Sequence, residues 1–395
     1  MKFNWTTKKL SEIAYINPRE SIGKGVVAKK VPMDKLQPFC RDVPEFVFEE
    51  YKGGAKFRNN DTIMARITPC LENGKIAKVS ILDNDEIGFG STEYIVFRAI
   101  DGVSDADFLY YLICSPLVRN SAIKSMVGSS GRQRVQTDVV ANLDIELPPI
   151  EEQRKIGGLL KTFDDKIKLN NEINNNLEQQ ISALFINMFG FNIDKLAESK
   201  FKLGDLVESV DNRGKTPPLS DKPTSYPIID VKALSGDIRI VDYNNCTKYV
   251  DEETYNNWFR SGHPKQYDIL VSTVGSLAEM KIFLGDIGCI AQNVVGFRSK
   301  GISPLYLYQY LNYIKSDLVA YNIGSVQPSI KVTHIIKHPI YVAPQDEIDK
   351  FDNVARSITE KIFANCQENE NLKQLRDTLL PQLMSGELDV SDLDI

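Results

Sequence analysis

The 395-residue sequence has few of the features that would anchor a chain in a membrane or cross-link it. No stretch approaches the roughly 20 consecutive apolar residues of a membrane span, and the first residues lack the apolar core of a secretory signal. The six cysteines are scattered without a CxxC pair, a pattern typical of reduced thiols rather than of a disulfide framework or a zinc site. These absences predict a cytoplasmic protein.

Motifs of catalysis are equally scarce. A DNA adenine methyltransferase would need Asn, Asp or Ser before a Pro-Pro pair and Tyr or Phe after it, and Pro148-Pro149 has neither flank. The glycines of 88–90 lack the strand–Gly-x-Gly-x-x-Gly–helix context of a cofactor loop. Glu151, Glu152 and Lys155 could be taken for part of a nuclease site. They open a helix, however, and acidic residues there are favoured by the positive end of the helix dipole. We therefore predict no catalytic residues and no cofactor.

What the sequence does contain is a long internal repeat. Residues 337–383 match 142–188 at a separation of about 195 residues, far beyond the roughly 20–50-residue period of a solenoid. Each copy reads as a short alternating strand, a proline, an acidic helix start and one long amphipathic helix. The repeat predicts a duplicated domain-plus-helix unit with an approximate internal two-fold.

The repeat extends upstream of the long helices. GFGSTEYIVFRA (88–99) matches GCIAQNVVGFRS (288–299), and a strand that begins with aspartate, at Asp61 or Asp268, precedes each of them. Arg98 therefore matches Arg298. The match indicates that the two halves share a framework.

Helices and loops follow this framework in both halves. The predicted helical segments are 105–118 and 303–314, and the second opens with an N-cap serine, Ser303, followed by proline. A polar loop comes next, GSSGRQRVQ (128–136) against GSVQPSIKV (324–332). Between these pieces the halves differ freely, which predicts one scaffold with two different surfaces.

A pair of histidines offers the best candidate for a metal site. His334 and His338 are four residues apart, as metal ligands on a helix would be. Their counterparts in the first half are Val139 and Leu143, in a predicted strand. We therefore predict that no metal binds there.

The net charge of −6 is unevenly distributed. Residues 346–395 hold 5 basic and 12 acidic residues, whereas 1–150 hold 20 and 19 and 196–345 hold 16 and 15. The acidity thus belongs to the C-terminal helix and its tail, and both globular parts are neutral to slightly basic. This permits DNA binding without demanding it, because tight binding needs local clusters of Lys and Arg or basic partner subunits.

The two long helices carry apolar residues at alternating spacings of three and four, typical of a coiled coil. Asparagines interrupt both patterns near the helix midpoints. An antiparallel pair would bring the midpoints together, either as one polar layer that sets the register or with the asparagines in solvent. The predicted helix-pair seam consists of Ile156, Leu160, Phe163, Ile167, Asn170, Asn174, Leu177, Ile181, Phe351, Ile358, Ile362, Asn365, Asn369, Leu372 and Leu379.

Seven segments together point to a known family. They are LPPIEEQRKI (147–156), DDKIKLNNEINNNLEQQISALF (164–185), LLPQLMSGEL (379–388), ARITPCLENGKIA (65–77), GSTEYIVFR (90–98), RGKTPP (213–218) and YDILVSTVGS (267–276). In these segments the sequence resembles the specificity (S) subunit of a type I restriction–modification enzyme. The resemblance covers essentially the whole chain, and one departure is Arg376, which stands where Ile181 stands in the first helix.

The resemblance implies a non-catalytic subunit that reads double-stranded DNA. It implies two target-recognition domains, each reading one half of a split asymmetric site, and long helices that set the spacing and dock two methyltransferase subunits. Restriction subunits would be added in the full complex. The fold class that we predict is α+β, with two globular target-recognition domains related by an internal pseudo-two-fold and separated by two long antiparallel coiled-coil helices.

Four segments follow from the repeat and the resemblance. We predict a first recognition domain over 1–150, a central long helix over 151–190, a second recognition domain over 191–345, and a C-terminal long helix with an acidic tail over 346–395. The alternative is a coiled-coil scaffold without DNA specificity, which the helices alone would allow. That alternative leaves unexplained why two substantial domains share a framework but differ in their polar loops.

DNA reading needs Arg or Lys for guanine, Asn or Gln for adenine and Ser or Thr for either, on loops that can enter a groove. We expect 91–93 to be structural, because it leads straight into a hydrophobic strand. The strongest candidates are Arg132 with Arg134 and Arg213 with Lys215, where glycine lies beside paired cations. The full set of predicted DNA-binding residues is Lys56, Arg58, Arg66, Thr68, Asn73, Lys75, Arg132, Gln133, Arg134, Gln136, Asn212, Arg213, Lys215, Thr216, Ser272, Thr273, Ser276, Gln292, Asn293, Gln327, Ser329 and Lys331.

Overall fold

The computed structural model describes residues 4–129, 131–195 and 199–390, so 391–395 of the predicted acidic tail lie outside the described residues. The chain forms two compact units. The N-terminal unit comprises the described residues up to Lys168 together with those from Asn369 onward, and the C-terminal unit comprises Leu169–Glu368. Each unit thus combines one globular part with a stretch of both long helices. The division of the sequence into four segments stays a prediction.

Two four-stranded sheets form the centre of the N-terminal unit. Its strands are β1 (Thr6–Lys9), β2 (Ala14–Ile16), β3 (Val27–Val31), β4 (Val47–Glu50), β5 (Lys56–Phe57), β6 (Thr62–Ala65), β7 (Ile76–Lys78), β8 (Gly88–Gly90), β9 (Tyr94–Ala99) and β10 (Asp144–Leu147). The sheet orders are β2-β9-β6-β7 and β4-β3-β8-β5, and β1 pairs with β10. Successive residues of β9 point to opposite faces, so that Ile95 and Phe97 enter one apolar core while Tyr94 and Val96 enter another.

Short helices complete this unit, and one of them corrects a prediction. They are α1 (Leu10–Ile13), α2 (Ala106–Cys114), α3 (Pro116–Lys124) and α4 (Thr137–Ala141), with a 3₁₀ turn at Met33–Lys35. The strand predicted for Val139 and Leu143 is wrong at Val139, which lies in α4. The helix buries Val140, and both the backbone and the side-chain N–H groups of Asn142 close its last turn on the Asp138 carbonyl. The first long helix, α5 (Ile150–Phe185), follows and continues through a π turn at Ile186–Gly190.

The C-terminal unit has a matching four-stranded sheet. Its strands are β11 (Phe201–Lys202), β12 (Val207–Val210), β13 (Tyr226–Ile229), β14 (Tyr249–Val250), β15 (Ile269–Ser272), β16 (Met280–Ile282), β17 (Cys289–Ile290), β18 (Val294–Ser299) and β19 (Pro339–Ile340). The sheet orders are β12-β18-β15-β16 and β14-β13-β17, and β11 pairs with β19. Val295 and Phe297 enter the large core of this unit, whereas Val294 enters a second one.

The helices of this unit include the predicted segment at 303–314. They are α6 (Phe191–Ile193), α7 (Leu203–Leu206), α8 (Glu252–Asn257), α9 (Pro304–Tyr313), α10 (Lys315–Val319) and α11 (Val332–Ile335), with 3₁₀ turns at Val231–Leu234 and Tyr243–Asn245. The predicted N-cap is confirmed, because the Ser303 hydroxyl accepts hydrogen bonds from the backbone N–H groups of Leu305 and Tyr306. The second long helix, α12, runs over Gln345–Met384.

An arginine–aspartate pair recurs in the same place in both units. In the first, Arg98 at the end of β9 donates two hydrogen bonds of 2.7 Å to Asp61. In the second, Arg298 in β18 donates hydrogen bonds of 3.1 and 2.7 Å to Asp268. Both aspartates are almost fully buried. The predicted match of Arg98 with Arg298 is confirmed, and it ties two corresponding strands in each unit.

The long helices pack together in the antiparallel sense. Both begin with acidic residues, as predicted. In the C-terminal unit the Asn365 amide donates a 2.7 Å hydrogen bond to the side-chain oxygen of Asn174, and Asn170 donates one of 2.8 Å to Glu368. Residue numbers fall along α12 as they rise along α5. The α+β class and the packed long helices are therefore confirmed.

Every residue predicted for the helix-pair seam is buried or half-buried. Half-buried positions are Phe163, Ile167, Leu177, Ile358, Leu372 and Leu379. Buried positions are Ile156, Leu160, Asn170, Asn174, Ile181, Phe351, Ile362, Asn365 and Asn369. Burial of all four asparagines argues against the solvent-facing alternative. The carboxylate of Glu368 joins them, which the heptad pattern does not predict.

A buried arginine ties each globular part to the helix segment of its own unit. In the N-terminal unit Arg41 donates a 2.6 Å hydrogen bond to Asp165 of α5. In the C-terminal unit Arg239, which is fully buried, donates to Glu178 of α5 at 3.0 and 2.7 Å and to Thr359 of α12 at 3.0 Å. Removing one partner of such a pair leaves a buried charge without its counter-ion, which is destabilising. These contacts therefore hold the sheet and the helices together.

Candidate nucleic-acid interface

Two predicted arginines of the N-terminal unit meet at one carboxylate. Arg66 follows β6, and Glu93 precedes β9. The guanidinium of Arg134 donates to the Glu93 carboxylate through Nε at 3.0 Å and through Nη2 at 2.6 Å. Arg66 Nε lies 4.0 Å from the same carboxylate, beyond hydrogen-bond distance. The three side chains form a partly exposed cluster of two cations and one anion.

Glu93 is ionised in this cluster. The hydrogen bonds from Arg134 hold the pKa of its carboxyl below the usual range, and they outweigh the opposing effect of partial burial. The segment 91–93 was expected to be structural, and it forms the turn that leads directly into β9. Its side chain adds a contact that spacing alone does not predict, because its partner lies 41 positions away.

The glycine-rich loop brings further predicted side chains to the same region. Arg132 is exposed, and its backbone N–H closes a turn on the Ser129 carbonyl. The Gln133 carbonyl accepts the backbone N–H of Thr68 at 3.0 Å, which joins the loop to the segment after β6. Gln136 is exposed and precedes α4. The structure thus collects Arg66, Thr68 and the loop of 131–136 into one surface.

Arg58 is committed to a different network. Its Nε and Nη2 donate to Glu20 at 2.6 and 3.0 Å, and Arg98 donates to the same carboxylate at 2.6 Å. The hydrogen bonds from Arg58, aided by those from Arg98, lower the pKa of Glu20. The Nη1 group of Arg58 also donates to the Asp85 carbonyl at 3.5 Å, so all three guanidinium nitrogens of Arg58 have partners inside this unit.

The remaining candidates of this unit are more scattered. The Lys56 ammonium lies 5.5 Å from the centre of the Tyr51 ring, a cation–π contact. The Lys75 ammonium donates to the Met33 carbonyl at 2.7 Å. Asn73 is exposed.

In the C-terminal unit the RGK segment carries an internal ion pair. Arg213 donates to the carboxylate of Asp211 at 2.8 and 2.7 Å and lowers the pKa of that carboxyl. Lys215 is exposed. Arg260, which the sequence analysis missed, donates to the Arg213 carbonyl at 3.0 Å and adds an exposed cation. Arg260 lies 47 residues from Arg213 along the chain, so no local sequence pattern predicts this contact.

Two further loops adjoin this segment. The Gln292 amide donates to the hydroxyl of Thr216, so these two predicted residues meet. The exposed predicted residues also include Ser276, Gln327 and Lys331. Asn293 and Ser329 are half-buried.

Three predicted DNA contacts need correction, because their side chains are buried. Asn212 donates to the Gly262 carbonyl and accepts from the Ser261 backbone N–H, so its amide is used in folding the loop. The Ser272 hydroxyl bonds with the backbone of Ser276 and Glu279. Thr273 is also fully buried. Side chains whose polar atoms are satisfied inside the protein cannot reach a DNA groove.

The two histidines considered as metal ligands both contact the ring of Tyr321, His334 at 6.0 Å and His338 at 5.8 Å between ring centres. The Tyr321 hydroxyl lies within 2.9 Å of His338 Nδ1. Burial lowers the pKa of His338. Within residues 4–129, 131–195 and 199–390, no group of three or more His, Cys, Asp or Glu side chains is arranged to hold a metal ion. No helix in the same ranges is long and apolar enough to cross a membrane.

Comparison with known proteins identifies the duplicated architecture. The sequence profile of the type I restriction modification DNA specificity domain matches residues 3–179 and again 198–374. The chain therefore belongs to the family of type I restriction–modification DNA specificity subunits. As such it is the non-catalytic component that gives a type I complex its DNA specificity, as the resemblance implied.

Named relatives agree. The chain is 25% identical over 315 residues to the type I restriction enzyme MjaIX specificity subunit of Methanocaldococcus jannaschii, covering 74% of this chain and 71% of the relative. It is 24% identical over 421 residues to the HindI specificity subunit of Haemophilus influenzae, covering 86% and 89%. The crystal structure of the S subunit from the type I system of M. genitalium shares the fold, with a TM-score of 0.52, 15% identity and 96% of each chain covered.

Proposed function

We propose that each compact unit reads one half of a split, asymmetric site in duplex DNA. One observation carries this proposal. Both units have the same order of corresponding strands and the same pair of an arginine with a buried aspartate, while their polar loops carry different side chains. Different bases require different donors and acceptors, so a common scaffold with unlike loops suits two unlike half-sites.

Exposed cations provide the non-specific part of the binding. Arg132, Lys215 and Lys331 are exposed, and within the described part of the chain their side chains form no ion pair. Cations of this kind neutralise phosphates and release counterions, which makes binding sensitive to salt. Arg134 and Arg213, whose guanidiniums already hold carboxylates, are better suited to directed contacts.

We also propose that the long helices dock two methyltransferase subunits, to which restriction subunits are added in the full complex. The support is the repetition itself. Two helices with the same acidic start and with asparagines at matching positions offer two similar surfaces for two copies of one partner. This goes beyond what family membership establishes, which is a role in the type I complex.

The test is to co-express the chain with the methyltransferase subunit of its system in a methylation-free host and to map modified adenines across the genome. A split motif with a fixed-length unspecified gap supports the proposal and reveals the target. An assembled complex that adds no methylation, or that methylates a continuous motif, contradicts it and favours the scaffold alternative.

A double variant then assigns a half-site to a unit. Arg213→Ala with Lys215→Ala should weaken or alter recognition of one half only, because both residues belong to the loop of one unit. Lys300→Ala with Lys337→Ala is the matched control, since it also removes two exposed cations of the C-terminal unit but lies outside the predicted set. Equal loss at both halves would mean that Arg213 and Lys215 serve folding or assembly.

A further inference from the structure

The backbone of the N-terminal unit joins three segments at the end of its central strands. The Arg66 N–H donates to the Glu93 carbonyl at 2.9 Å, and the Val135 N–H donates to the Arg66 carbonyl at 2.8 Å. Ile67 forms an antiparallel bridge with Arg134. The segment after β6, the segment before β9 and the glycine-rich loop are thereby held together, and this arrangement is called the three-segment junction.

The C-terminal unit has the same junction. The Thr273 N–H donates to the Asn293 carbonyl at 2.7 Å, and the Ile330 N–H donates to the Thr273 carbonyl at 2.8 Å. Val274 forms an antiparallel bridge with Ser329. Each bond has its counterpart in the N-terminal unit. The backbone therefore matches Arg66 with Thr273, Glu93 with Asn293, and Arg134 with Ser329.

Matching backbone positions in the two units thus carry charged side chains in one unit and neutral side chains in the other. The first junction has two arginines and a glutamate, whereas the second has the buried Thr273 together with Asn293 and Ser329, none of which is charged. A scaffold that must read two different sequences needs positions of this kind, where side chains vary while the backbone stays the same.

We propose that the three-segment junction is where each unit selects bases, that Arg134 reads a guanine, and that Glu93 is the positioning residue that orients it. This inference rests on the proposed function. The partner is duplex DNA, whose groove would face the junction, and Asn293, which occupies the position that matches Glu93, reads a base of the other half-site.

The geometry of Arg134 fits guanine. Of its five N–H donors, Nε and one on Nη2 are engaged by Glu93. Three donors remain, and two of them, one on Nη1 and one on Nη2, lie parallel to each other along the end of the planar group. Two parallel donors of this kind match the O6 and N7 acceptors that guanine presents in the major groove.

The charge balance also favours a base over a phosphate. A phosphate approaching Arg134 would also meet the ionised Glu93 beside it, which offsets part of the attraction of the two arginines. A guanine edge is neutral and requires direction more than charge. Holding a long side chain in place beforehand also reduces the entropy lost on binding.

Glu93 acts through the arginines beside it. Its carboxylate fixes the guanidinium in one orientation, and the second arginine, Arg66, lies within 4.0 Å of it. Arg66 Nε is enclosed and has no hydrogen-bond partner among the described residues. Loss of the carboxylate would free both arginines to turn toward phosphates, so that DNA would still bind but with less selectivity.

The experiment uses the full chain in complex with its methyltransferase subunit, with modified adenines mapped as above. In the parent complex one half-site should contain a guanine favoured over other bases by about 10-fold or more, as expected of a good bidentate contact. Arg134→Gln should shift that position toward adenine, since Gln pairs with the adenine edge. Arg134→Lys keeps the positive charge but lacks the two parallel N–H donors. This variant should lose the guanine preference while the complex still assembles.

Glu93 and Asn293 supply the controls. Glu93→Gln should relax the same guanine position, and Glu93→Asp should retain more of the preference, which a purely structural role would not predict. Asn293→Ala should change only the other half-site. A guanine preference unchanged in both Arg134 variants, or a uniform loss at both halves, overturns the inference. A parent complex without a split motif defeats the proposed function instead, and the inference falls with it.

Discussion

Acidic neighbours decide how each basic side chain of the loops can be used. Arg134 and Arg213 were both predicted from glycine beside paired cations, and each is held by a carboxylate, Glu93 or Asp211. Lys215, two residues from Arg213, forms no such pair among the described residues. Cations of the same loop thus divide into oriented and free ones. Sequence reasoning treats them alike because it sees their charge and not their partners.

The Glu20 network makes a residue-scale prediction about pH. The pKa of Glu20 is lowered in the folded chain, so its contribution to stability is present above its unfolded pKa of about 4.3 and is lost as the pH falls through the folded value. Glu20→Gln should therefore lower the free energy of unfolding by about 1 kcal/mol at pH 7. The difference from the parent chain should shrink below about pH 4.

Urea unfolding at pH 7 and pH 3.5 measures this difference. The matched control is Glu50→Gln, which removes an exposed carboxylate from the same unit. A deficit for Glu20→Gln that is as large at pH 3.5 as at pH 7 would show that the loss comes from packing and not from the ion pairs with Arg58 and Arg98.

At the scale of elements, periodicity predicted the helices well and predicted short segments less well. The long helices and the helix after Ser303 have strong repeats or caps, and they form where expected. Helix α4 was missed because two adjacent β-branched residues resemble a strand. A segment of five residues carries too little pattern to settle its type, and burial of Val140 decides it.

The asparagine pair of the long helices gives an element-scale prediction. Asn365→Ala leaves the amide of Asn174 buried without its 2.7 Å partner, which should cost about 1–3 kcal/mol of unfolding free energy. Replacing both by leucine removes the unsatisfied groups and should restore most of that stability. Thermal or urea unfolding of the single and double variants measures both changes in the free energy of unfolding.

The double variant also tests what the polar pair is for. If the pair sets the register of the helices, Asn174→Leu with Asn365→Leu should be stable and yet assemble less well with the methyltransferase subunit. A double variant less stable than the single one would mean that the amides are well satisfied and that leucine does not fit the space.

The whole molecule consists of two compact units, and the proposed function makes each of them a separate reader of DNA. Each compact unit has its own sheets, cores and candidate loops, so changes in one should not alter the other. The side chains at the two junctions are charged in one unit and neutral in the other, which is consistent with the proposal that the units read unlike bases.

Independence of the units is a prediction at this scale. Arg134→Ala and the Arg213→Ala, Lys215→Ala pair should each weaken binding of the assembled complex to a duplex carrying the mapped site. Combined in one chain, their losses in binding free energy should add to within about 0.5 kcal/mol, because they share no partners. Titration of labelled duplex at a fixed salt concentration measures the losses. A larger deviation would mean that the two half-sites are read cooperatively.

The sequence by itself determined the duplication, the long helices, the asparagines near their midpoints and the family, because repeats and periodicity can be read directly along the chain. The structure decided that these asparagines are buried. Tertiary structure alone decided which side chains remain available to DNA. The ungapped loop alignment sets Arg134 against Ile330, whereas the hydrogen bonds set it against Ser329. Burial withdraws Asn212, and Glu93 acquires a partner 41 positions away. Such contacts join segments that only folding brings together, and no local pattern encodes them.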